Sequence, residues 1–182
     1  SSVLLCAGLL HDLGNPPFGH FGEEVIGEWF KNNLGRILYR SNEDMPAEQR
    51  RTVKAMLTPQ MAADLEHFEG NAQALRLLSK SRYSSDINVS VSVISTLSKY
   101  PTNSLSFCRT AADVAAHKPG YYFAEEEVFL RIANQVGTAG NNGIIHRHPL
   151  TFFLEAADDI AYATADLEDA FKKGLFTLPE FI

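Results

Sequence analysis

His11 and Asp12 stand side by side at the end of the apolar run Val3-Leu4-Leu5-Cys6-Ala7-Gly8-Leu9-Leu10. Imidazole and carboxylate are ligands for a divalent cation. A carboxylate at the edge of a core must be paired or metal-bound, because isolated burial of charge is prohibitive. The dipeptide alone is a common accident, and a satisfied core histidine followed by a helix-ending aspartate explains it as well. A further acid comes from Glu155-Ala156-Ala157-Asp158-Asp159-Ile160-Ala161-Tyr162. Helical spacing puts Asp158 on one face with Leu154, Ala161, Tyr162 and Ala165. Asp159 stacks on Glu155 and Ala163, a more polar stripe. Asp158 is therefore the inward acid and the candidate metal ligand of the two. The alanines around it argue against solvent and admit another element. Asp166 follows Tyr162 on the same slowly drifting face.

A second constellation lies in Gly14-Asn15-Pro16-Pro17-Phe18-Gly19-His20-Phe21-Gly22-Glu23. Pro16-Pro17 stiffens the stretch, and Gly19 and Gly22 keep it thin, so a ligand can approach the backbone. His20 and Glu23 face each other across one helical turn, within hydrogen-bond reach. A carboxylate that orients an imidazole and favours its protonated form makes a general acid. A local capping pair is the competing reading of that spacing.

These side chains need helices to position them. The opening apolar run reads as a core helix with a buried, inert Cys6. It must stop before Pro16. A second helix starts near Phe18, with Val25, Ile26, Trp29 and Phe30 on one apolar face. Residues 41–55 are polar and read as a surface excursion. Asn71 to Leu78 reads as a helix with Leu75 and Leu78 inward. Val89 to Tyr100 fits both a strand and a helix; no second clear strand offers a partner, so helix is preferred. Residues 101–120 read as loop. Glu125 to Val136 reads as a helix with acids in its first turn, and Gly137 to Asn142 as a flexible break. The last helix runs from Pro149 to Lys172, with Gly174 as its cap. The class is all-α, in one domain over 1–182.

Composition narrows the function. The chain has 182 residues, 45% of them apolar and 21% charged, which is a globular composition. Its net charge of −6 offers no global field to nucleic acid or to an anionic membrane. The two cysteines make neither a zinc site nor a disulfide framework, which points to a reducing, cytoplasmic compartment. The longest apolar run is about half of the ~20 residues a membrane span needs.

The blocks His11-Asp12-Leu13-Gly14-Asn15-Pro16-Pro17-Phe18-Gly19-His20-Phe21-Gly22-Glu23, His67-Phe68-Glu69-Gly70-Asn71-Ala72-Gln73, Lys118-Pro119-Gly120-Tyr121-Tyr122 and Glu155 to Ala170 fall in one order. Together they closely resemble the bacterial deoxyguanosine triphosphate triphosphohydrolases, a family of HD-domain phosphohydrolases. The resemblance implies an HD-type helical core and hydrolysis of dGTP at the α-phosphorus, giving deoxyguanosine and triphosphate. It implies a divalent metal, Mn²⁺ or Mg²⁺, held by His11, Asp12 and Asp158. His20 corresponds to the catalytic histidine and Glu23 to its partner. Asn71 lines the nucleotide site, and Lys99 and Lys118 meet the triphosphate. Tyr162 and Asp166 read the deoxyribose. The resemblance also implies assembly from identical subunits. The family carries an additional metal-ligating histidine upstream of the His-Asp pair, and no histidine precedes His11. The chain starts inside an element, so a piece of a longer enzyme is expected. Two other readings stay open: action on other or several deoxynucleotides, and a nucleotide-binding or assembly module without catalysis.

Overall fold

The computed structural model describes residues 1–40, 46, 48, 57–80 and 89–181. The architecture is helical, as the sequence predicts. Its elements are α1 (Ser2–Leu10), α2 (Gly19–Arg40), α3 (Pro59–Glu66), α4 (Gly70–Lys80), α5 (Val91–Leu97), α6 (Glu126–Val136), α7 (Pro149–Lys172) and α8 (Leu178–Phe181). Short 3₁₀ turns occupy Val114–Ala116 and Phe123–Glu125. Among the described residues the one β-type pairing is an isolated bridge between Ala139 and Ile145. The excursion expected at 41–55 lies outside the described residues, except for Pro46 and Glu48.

The short helix α5 is the hub. It packs against α1, α4, α6 and α7. Val93, Ile94, Ser95, Thr96 and Leu97 are all buried, so beyond its exposed first residue, Val91, this helix is covered on every side. That explains why its sequence reads as strand and helix at once: a stretch buried all round shows no clear period. Ser90 starts it by accepting from the Val93 amide, and the helix ends at Leu97 rather than at Tyr100. Thr96 satisfies its own hydroxyl on the Ser92 carbonyl, at 2.7 Å. The Thr151 hydroxyl donates to the Thr96 carbonyl at 2.9 Å and ties α7 to the hub. Around α5 the core gathers Ala7, Leu75, Leu78, Tyr121, Phe129, Ile132 and Leu154. Burying each large side chain of this set contributes about 1.5–3 kcal/mol.

Several expectations are corrected. In α1 only Ala7 is buried, whereas Leu5 is 73% and Leu9 87% exposed. Cys6 is exposed too. A run that is apolar all round does not say which side is covered; one side of α1 packs on α5 and α7. The apolar face read in α2 is also partly open, with Val25 and Trp29 half exposed. Instead α2 meets α3 edge-on at Gly27, where a Cβ would lie 2.6 Å from the Glu66 carbonyl oxygen. Ala161 and Ala165, expected to exclude solvent around Asp158, are exposed. The helix expected from Glu125 begins at Glu126; Glu125 closes the 3₁₀ turn before it and is fully buried, salt-bridged to Arg76 at 2.9 Å. The break expected at 137–142 is an ordered turn. Gly137 caps α6 in the left-handed region, and the His146 amide returns to the Thr138 carbonyl at 2.9 Å.

The segment between α1 and α2 lies directly on α4. A Cβ added at Gly14 would penetrate the Gly70 carbonyl oxygen and the Ala74 amide, both of them backbone. Neither neighbour can rotate away. Gly14→Ala should therefore lose about 3 kcal/mol of stability. Urea unfolding would check this, and a midpoint equal to that of the parent would contradict the packing.

Candidate functional site

α1 delivers the first half of the site. His11 is its C-cap, and the His11 Nδ1 lies 2.7 Å from the Gly8 carbonyl oxygen. A carbonyl can only accept, so the proton is on Nδ1. That leaves Nε2 for another partner. Nε2 lies 3.3 Å from Asp12 Oδ2 and 3.3 Å from Asp158 Oδ1. Asp158 arrives on α7 from the far end of the chain and is half-buried, while Asp159 is exposed. Lys99, just past the end of α5, places Nζ 3.3 Å from the other Asp158 oxygen. Asn15 donates to Asp12 at 2.8 Å and fixes that carboxylate.

Two carboxylates converging on one imidazole nitrogen require a positive charge between them, a proton or a cation. One imidazole and two carboxylates form a donor set suited to Mn²⁺ or Mg²⁺. Among the described residues, however, no three His, Cys, Asp or Glu side chains stand close enough together to hold a metal as they are placed. The chemistry of the donors fits; their spacing would have to contract.

α2 delivers the second half. The His20 Nδ1 sits 2.7 Å from Glu23 Oε2, and the imidazole is 76% exposed. Glu23 is buried to 7% and its other oxygen accepts from the Gly70 amide at 2.7 Å. Gly70 opens α4, so Glu23 also sits where the helix dipole favours a negative charge. Lys118 Nζ lies 3.9 Å from Glu23 Oε2 and 3.2 Å from Glu69 Oε2. Asn71 donates to Glu69 Oε1 at 2.7 Å. His20, Glu23, Glu69 and Lys118 line a cleft of about 650 Å³ whose walls also include His67, Phe68, Arg109 and His117.

The backbone joins the two halves. Phe18 adopts φ 68° and Gly19 φ 55°, a left-handed corner between the aspartate and His20. For phenylalanine that conformation costs about 1–3 kcal/mol. Phe18 is 87% exposed, so its side chain does not repay the strain by burial.

The structure thus brings His11, Asp12, Asp158 and Lys99 into one cluster, and His20, Glu23, Asn71 and Lys118 into another. Tyr162 belongs with the first: the charge of Asp12 above all, then burial and the charges of Asp158 and Asp166, pushes its phenol up. Asp166 itself is exposed, one turn beyond Tyr162. Lys99 is held by Asp158 in this structure. Sequence reasoning missed Glu69, Tyr122 and Tyr100. The Tyr100 phenol is pushed up to about 12 by burial and by the charges of Glu69, Glu155 and Glu23. Glu69 and Tyr122 lay in blocks that could have marked them; Tyr100 did not.

The HD-domain family profile matches residues 1–94. A Listeria monocytogenes protein named deoxyguanosinetriphosphate triphosphohydrolase-like protein is 44% identical, over 99% of this chain and 36% of its own length. A Yersinia enterocolitica deoxyguanosinetriphosphate triphosphohydrolase is 37% identical, over 98% of this chain and 36% of its own. A Pseudomonas aeruginosa protein, named a probable deoxyguanosinetriphosphate triphosphohydrolase, is 38% identical over 97% and 34%. The chain spans about one third of the length of these relatives.

The placement of the two acids of α7 makes a sharp test. Asp158→Ala should weaken Mn²⁺ binding by about 10–100-fold, while Asp159→Ala leaves it within about twofold. Calorimetric titration of Mn²⁺ into each variant reads this directly. Equal losses would show that helix face does not decide between them.

Proposed function

The chain belongs to the HD-domain family, and from that premise we propose that it is the catalytic core of a metal-dependent phosphohydrolase acting on deoxynucleoside triphosphates. The substrate is dGTP, the bond broken is at the α-phosphorus, and the products are deoxyguanosine and intact triphosphate. The names carried by the relatives support this choice of substrate. The observation that carries the reading is the meeting of Asp12 and Asp158 on His11 Nε2, at 3.3 Å each.

His11, Asp12 and Asp158 would hold the divalent cation, Mn²⁺ or Mg²⁺. When bound, it supplies a Lewis acid for a phosphoryl oxygen and a more acidic water. The rest is done by the chain. Glu23 fixes the His20 ring through Nδ1 and leaves Nε2 to protonate the leaving 5′-oxygen. Lys99 and Lys118 meet the triphosphate, and Asn71 lines the nucleotide site. Lys118 offsets the negative charge of the triphosphate oxygens as it redistributes in the transition state. Lys99 shares Asp158 with the cation, so its orientation is linked to occupancy of the metal position. Tyr162 and Asp166 take the deoxyribose, the aspartate on the 3′-hydroxyl and the tyrosine against C2′. Assembly from identical subunits is part of the proposal; the exposed Ile160, Leu167 and Phe171 of α7 offer apolar surface for it. Among the described residues no helix is long and apolar enough to cross a membrane.

One observation favours a second reading, nucleotide binding without catalysis: the described acids and histidines do not close on a metal as placed. Products separate the two. The full-length parent protein, incubated with dGTP and Mn²⁺, should release deoxyguanosine and triphosphate on anion exchange. Diphosphate or monophosphate would refute cleavage at the α-phosphorus. Faster release from another deoxynucleoside triphosphate would move the substrate within the class. His20→Ala should lower turnover by about 10²–10⁴-fold with nucleotide affinity within about threefold. Binding that falls in step with turnover would remove His20 as the acid.

A further inference from the structure

Glu69 has no part in the reaction just described, yet it touches two of its residues. It is buried to 4% exposure, and a carboxylate so placed must be compensated. Lys118 Nζ lies 3.3 Å from Oε1 and 3.2 Å from Oε2. Asn71 donates to Oε1 at 2.7 Å. The backbone of Glu69 is held just as firmly. The Tyr122 hydroxyl accepts from the Glu69 amide and donates to the Glu69 carbonyl, both at 3.0 Å. Tyr122 is itself 3% exposed. The Arg76 guanidinium lies over the Tyr122 ring at 4.7 Å and is anchored by Glu125 at 2.9 Å. A chain of contacts therefore runs from Glu125, just before α6, through Arg76 of α4, Tyr122 and Glu69, to the lysine at the cleft edge.

Lys118 has two carboxylates within reach. It takes Glu69 at salt-bridge distance and stands 3.9 Å from Glu23 Oε2. That Glu23 oxygen is the one His20 uses. Among the described residues, Glu23 is the other carboxylate at ion-pair distance from Lys118, so with Glu69 neutral the lysine would compete with His20 for one acceptor.

Resting on the functional reading above, we propose that Glu69 is a positioning residue: it holds Asn71, aims Lys118 into the cleft and keeps Lys118 off the Glu23 oxygen that orients His20. Glu69→Gln keeps the size and an acceptor for Asn71 but removes the charge. A purely structural acid would act independently of Lys118, whereas a positioning acid acts through it. A double-mutant cycle reads the difference.

In the full-length parent, E69Q should lower kcat about 10–100-fold, within the coupling range of contacting pairs, with KM within about threefold. In a Lys118→Met background the same change should cost less than about twofold in kcat, because no lysine is left to displace His20. Equal losses in both backgrounds, or E69Q with wild-type kcat, would overturn the proposal. Should E69Q alone fail to fold, the charge-balanced double variant against K118M decides. Equal kcat supports the proposal, and a further tenfold loss overturns it. A crystal structure of E69Q is independent of turnover. Lys118 Nζ moved to hydrogen-bond distance from Glu23 Oε2 supports the proposal, and Nζ left beside residue 69 overturns it. A parent that releases no triphosphate sinks the functional reading alone.

Discussion

The Glu23 carboxylate is the constraint on which the site is built. One oxygen takes the first amide of α4 and the other takes the His20 ring. Both bonds are 2.7 Å, and the acid is buried between them. A buried carboxylate with neither partner would be prohibitive. The acid therefore binds α2 to α4 as firmly as it orients the histidine. Fold and chemistry share one group here, so neither can be altered at this position alone.

The other half of the site obeys the same rule with different parts. Asp158 is half-buried and answered by Lys99 on one oxygen and His11 on the other. Its position depends on α7 lying against α5, and the Thr151 to Thr96 hydrogen bond fixes that contact. α5 is short, yet it sets both the core and the exit point of Lys99. The hub thus supports the fold and one half of the site together.

Much of this was legible in the residues. Asp158 over Asp159 followed from helix spacing alone, since Leu154 is buried and shares its face. His20 with Glu23 followed from their separation of one turn. The Gly174 cap of α7 followed from composition, and the structure gives it φ 69° with the Leu175 amide on the Ala170 carbonyl. What was illegible has physical causes. α1 is apolar on every side, so its pattern did not reveal the exposed face of Leu5 and Leu9. Glu125 looks like an ordinary first-turn acid until its distant partner Arg76 is known. Glu69 sits in a legible block, but its worth lies in Lys118, nearly fifty residues on. Local periodicity carries no record of such pairs.

The contact between Gly14 and the start of α4 has one more consequence. Main chain touches main chain there, with no side chain between. The turn that separates His11 and Asp12 from His20 is thus seated on backbone rather than on rotamers. It acts as a fixed caliper. Substitutions among the surrounding side chains can retune what each jaw grips, but the gap between the jaws is set by peptide geometry. Changing that gap requires moving α4 itself.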